Sequence, residues 1–130
     1  MSHGYEEALV AAGAVMYNCF RVLEFREFGD YQGSWIAYVE YEGGRGFVRG
    51  SYGSCDHCDA FQGEFGWLDE DEENSEEFRA RLVDFGRGYL EGQLWTAVEL
   101  REHFAEDAEW DSDAEEIVSW LSGQILRGAH

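Results

Sequence analysis

Between Ser34 and Tyr41 the chain alternates with a period of two: Trp35, Ala37, Val39 and Tyr41 interleave with Ser34, Ile36, Tyr38 and Glu40. An extended strand satisfies that period and a helix does not, so this stretch constrains the fold more than any other. Ile36 and Tyr38 put apolar bulk on the strand's second face as well, which predicts partial cover from both sides. Turn-forming residues bracket the strand, Gly29-Asp30-Tyr31-Gln32-Gly33 before it and Gly43-Gly44-Arg45-Gly46 after it, and both read as hairpin loops. Phe20 to Phe28, where Leu23 and Phe25 alternate against Glu24 and Arg26, supplies a strand on one side; Phe47 to Tyr52 supplies a shorter one on the other. Short loops joining consecutive strands make an antiparallel meander within 20–53.

Helical periodicity flanks this block. Tyr5, Leu9, Ala12 and Met16 form a stripe with Ser2 placed to cap it. Beyond Ser54, the segment Asp56 to Gln62 suits a short helix. Phe78, Leu82, Phe85 and Tyr89 trace a longer one entered through Ser75. Thr96 with Glu99, and Ser112 with Glu115, have the spacing of capping boxes. They open two further helices, one carrying Leu100 and Phe104, the other Ile117, Trp120, Leu121 and Ile125. The expected fold is a single α+β domain over 1–130, its three-stranded antiparallel sheet packed by an N-terminal helix and three to four C-terminal helices. With 130 residues, 45% apolar and 16% aromatic, the chain has material for a real core.

Charge narrows the function classes. The 28 acids face nine arginines and no lysine, a formal net charge of −19. Self-repulsion on that scale excludes non-specific attraction to nucleic acid or to an anionic membrane, so a charged partner should be basic. Residues 64–116 hold nineteen of the acids against Arg79, Arg81, Arg87 and Arg101, whereas the sheet segment is closer to neutral. No apolar run approaches the roughly 18 residues that cross a bilayer. Glu6 and Glu7 near the start argue against a secretory signal, and the odd set Cys19, Cys55 and Cys58 argues against a disulfide framework. A cytoplasmic protein is expected.

The most distinctive segment is Gly50-Ser51-Tyr52-Gly53-Ser54-Cys55-Asp56-His57-Cys58-Asp59. Cys55 and Cys58 have the C-x-x-C spacing that lets two thiolates share zinc, with His57 between them. A structural site needs a second ligand pair, and only Cys19, His3, His103 and His130 remain as scattered donors, so neither a metal nor a cofactor is expected. A redox thiol near a helix N-terminus is opposed by Asp56 and Asp59. A phosphate cradle lacks the P-loop lysine, although Arg45 and Arg49 lie nearby. The plain alternative is a tight strand-to-helix connection in which Gly50 and Gly53 relieve the backbone. A small-ligand or metal-binding module on Ser54, Cys55, His57 and Cys58 is thus the alternative reading. No Ser-His-Asp or Cys-His-Asn set stands out, and no catalysis is expected.

The run Gly33-Ser34-Trp35-Ile36-Ala37, followed by Gly50 to Cys55 and Cys58-Asp59, resembles small uncharacterised proteins of phages and their bacterial hosts over the central fifth of the chain. The resemblance implies a phage or mobile-element context and brings no activity. In size and charge alone the chain is similar to phage DNA mimics. The leading expectation is a non-catalytic interaction protein of the phage-inhibitor type, whose acids occupy the basic surface of a nucleic-acid-handling protein. Candidate contacts are Asp69, Glu70, Asp71, Glu72, Glu73, Glu106, Asp107, Glu109 and Asp111, with Trp110 as an exposed aromatic anchor. A solvated face that maintains solubility is the competing account of the same acids.

Overall fold

The computed structural model describes residues 4–29, 33–53, 76–92 and 94–128. The described elements run α1 (Tyr5–Met16), β1 (Arg21–Gly29), β2 (Gly33–Tyr41), β3 (Gly44–Tyr52), α2 (Glu76–Leu90), α3 (Ala97–Ala105) and α4 (Ser112–Leu126). The strands form an antiparallel sheet in the order β1-β2-β3, the expected meander. The expected α+β architecture is present, with one N-terminal and three C-terminal helices packed on the sheet.

The sheet is covered on both faces. Trp35, Ala37, Val39, Val48 and Tyr52 meet Tyr5, Leu9 and Ala12 of α1 and Leu90 of α2. On the opposite face Phe28, Ile36 and Phe47 meet Ala97, Leu100 and Phe104 of α3 and Ala114, Ile117 and Leu121 of α4. Ile36 is fully buried and Tyr38 packs against the same cluster, as their place in the alternation required. Trp35 is the largest fully buried side chain, stacked between Tyr5 at 5.3 Å and Phe25 at 5.5 Å with Tyr89 edge-on at 5.1 Å. Gly50 is small because the indole lies over it: a Cβ there would stand 2.6 Å from Trp35 Nε1. That indole N–H is buried without an acceptor among the described residues.

Local details depart from the sequence pattern. The β2–β3 turn is only Glu42-Gly43, both at positive φ (46° and 84°), so Gly44, Arg45 and Gly46 join β3 and lengthen it. That is the primed hairpin geometry, whose twist matches the flanking strands. A β-bulge between Val22 and Glu24 shifts the β1 register, so Val22 and Phe25 pack on the α1 side and Leu23 does not alternate with Phe25 as expected. Phe20 precedes β1 and packs its ring on Gly13 of α1. Helix α1 is capped by Gly4 in the left-handed region, with no side-chain cap, so Ser2 is not its N-cap.

At one end of the sheet Glu40 lies between Arg21 of β1 (3.0 Å) and Arg45 of β3 (2.9 Å). The Arg45 hydrogen bond, aided by Arg21 and opposed by partial desolvation, holds the Glu40 carboxyl below its ordinary value. The clasp is solvent-facing, so it pins register more than it adds stability. At the other end the Tyr52 hydroxyl donates to the Phe28 carbonyl at 2.9 Å, tying β3 to β1 across Gly33.

Thr96 opens α3 with a complete capping box: its hydroxyl accepts from Glu99 N–H at 3.1 Å and the Glu99 carboxylate accepts from Thr96 N–H at 3.0 Å. Thr96→Ala should lower the unfolding free energy by about 1 kcal/mol, read as a shifted urea midpoint at constant slope. An unchanged midpoint would show that the box contributes nothing here. The Ser112–Glu115 box is displaced by one residue: Asp111 caps α4, accepting from Asp113 N–H at 2.9 Å, and Ser112 is the first helical residue.

Candidate functional site

The connection between α3 and α4 is the acidic corner of the described structure. From Glu102 to Leu126 there are eight acids and neither lysine nor arginine. Helix α3 stops at Ala105 and the chain turns through 106–110. Backbone bonds fix the turn: Asp107 N–H to Phe104 O (3.1 Å), Trp110 N–H to Asp107 O (3.2 Å) and Asp111 N–H to Asp107 O (2.9 Å). Phe104 before the turn and Ala114 and Ile117 after it are all buried in one cluster, so both ends are anchored in the core. What the turn offers to solvent is therefore held in place.

Glu106, Asp107, Glu109, Trp110 and Asp111 are all exposed. Trp110 is 75% exposed, whereas Trp35 is fully buried. Trp95 and Trp120 are partly buried against the α3–α4 core. An exposed indole beside four carboxylates has the composition of an interface anchor. His103, exposed on α3, has its ring 5.2 Å from that of Trp95 and 5.1 Å from that of Phe104.

Beside the corner is an open pocket of about 340 Å³, lined by Phe104, Asp111, Asp113, Ala114 and Ile117 against Gly33, Ser34, Tyr52 and Gly53. Two carboxylates and an aromatic ring suit a cationic or hydrogen-donating guest. Ser34 and Asp113 were not candidates on sequence grounds, because only the fold brings the start of β2 to the start of α4. A second open pocket of about 580 Å³ lies between α1 and α2, lined by Glu6, Glu7, Val10, Ala11, Arg79, Leu82 and Val83.

Arg49 does not face open solvent: its guanidinium lies 5.4 Å from the Phe104 ring centroid. Arg45 is committed to Glu40. Ser54, Cys55, His57 and Cys58, and the acids Asp69, Glu70, Asp71, Glu72 and Glu73, lie outside the described residues. Cys19 is exposed in the α1–β1 connection. Among the described residues no group of three His, Cys, Asp or Glu side chains is placed to hold a metal, and no helix is long and apolar enough to cross a membrane. No family model, curated protein or solved structure matches the chain.

Proposed function

We propose that this is a non-catalytic interaction protein of the cytoplasm whose α3–α4 corner binds a basic surface on a nucleic-acid-handling protein. One observation carries the reading: Trp110 is exposed among Glu106, Asp107, Glu109 and Asp111 on a turn whose backbone is hydrogen-bonded and anchored at both ends. Fixed carboxylates compete for cationic groups without first paying the entropy of ordering a loop. The indole supplies the desolvated contact that charge alone lacks. The adjoining pocket, with Asp111 and Asp113 on its wall, gives a cationic or hydrogen-donating group of the partner a place to insert. Occupying such a surface would exclude the partner's nucleic acid, the mode of action of the phage mimics that the chain resembles in size and charge.

The test uses the chain as bait in a host lysate, followed by kinetics on the captured protein. The partner should be basic, and it should be released both by salt and by added duplex DNA or RNA. Exposed charges are screened within about 8 Å at physiological ionic strength, so affinity should fall steeply above it. Neutralising E106Q, D107N and E109Q together should slow association roughly tenfold with little change in dissociation. Trp110→Ala should instead speed dissociation by a similar factor. Asp111 is left intact because it caps α4. A neutralised variant that binds its partner normally and merely precipitates more readily would reduce the corner to a solubility device.

A further inference from the structure

We draw no further inference here: the strongest candidate, the open groove between α1 and α2 walled by Val10, Ala11, Leu82 and Val83, carries nothing because nothing in the structure shows what covers it.

Discussion

Trp35→Ala should destabilise the fold by about 4 kcal/mol, while Trp35→Phe should remain within about 1.5 kcal/mol of the parent. The alanine variant removes the ring that Tyr5, Phe25 and Tyr89 surround and leaves a cavity beneath α1 and α2. Neighbours held on α1, α2 and β1 by the rest of the core cannot collapse fully into a space of that size. The phenylalanine variant also loses volume, but it removes the buried N–H that lacks an acceptor. An unmade buried hydrogen bond costs roughly 1–3 kcal/mol, so its removal offsets much of the lost packing. Urea unfolding of the three proteins decides the matter. If phenylalanine proves as damaging as alanine, the indole nitrogen contributes to stability and the packing argument fails.

Gly86 and Gly88, two residues apart in α2, should respond to alanine with opposite sign. Both gain the helix preference of alanine over glycine, about 1 kcal/mol. At Gly88 nothing lies within 4 Å of a new Cβ, so Gly88→Ala should stabilise by about that amount. At Gly86 the new carbon would meet the Ala8 carbonyl group and stand 2.9 Å from Ala12 Cβ. The obstruction is the backbone of α1, which moves only if the helix pair separates. Overpacking of that kind costs about 1–3 kcal/mol, so Gly86→Ala should be net destabilising and Gly86→Val worse, by about 3 kcal/mol. Stabilisation by Gly86→Ala would mean that α1 and α2 are not held at the separation seen here.

The sheet was legible because its signal is dense: the alternation from Ser34 to Tyr41 admits one conformation, and Ile36 and Tyr38 announced the second covered face. Thr96 and Glu99 announced α3 correctly because both halves of a capping box are local. Where one residue decides, local rules slipped. Asp111 outcompetes Ser112 as the α4 cap because a carboxylate is the stronger acceptor for N–H groups at the positive end of a helix. The bulge at Leu23 breaks a phase that a sequence pattern assumes to be unbroken. The corner acids were visible as composition, and their exposure followed from charge alone. The anchoring of their turn was not visible, because it rests on Phe104, Ala114 and Ile117 reaching a core built from distant strands. The pocket at Ser34 and Asp113 joins residues far apart in the chain, and no local rule pairs them.

The two-faced sheet has a consequence for how such a chain can change. The cluster under α1 and α2 and the cluster under α3 and α4 share no residue; among the described residues the strands lie between them, and Leu94 and Trp95 carry the chain from one to the other. Volume altered around Trp35 need not be repaid around Phe104, and substitutions on more than about 7–10 Å separated sites tend to add independently. The layer that carries the acidic corner can therefore take substitutions while the other layer keeps the chain folded, so one half of the molecule can vary while the other holds the scaffold.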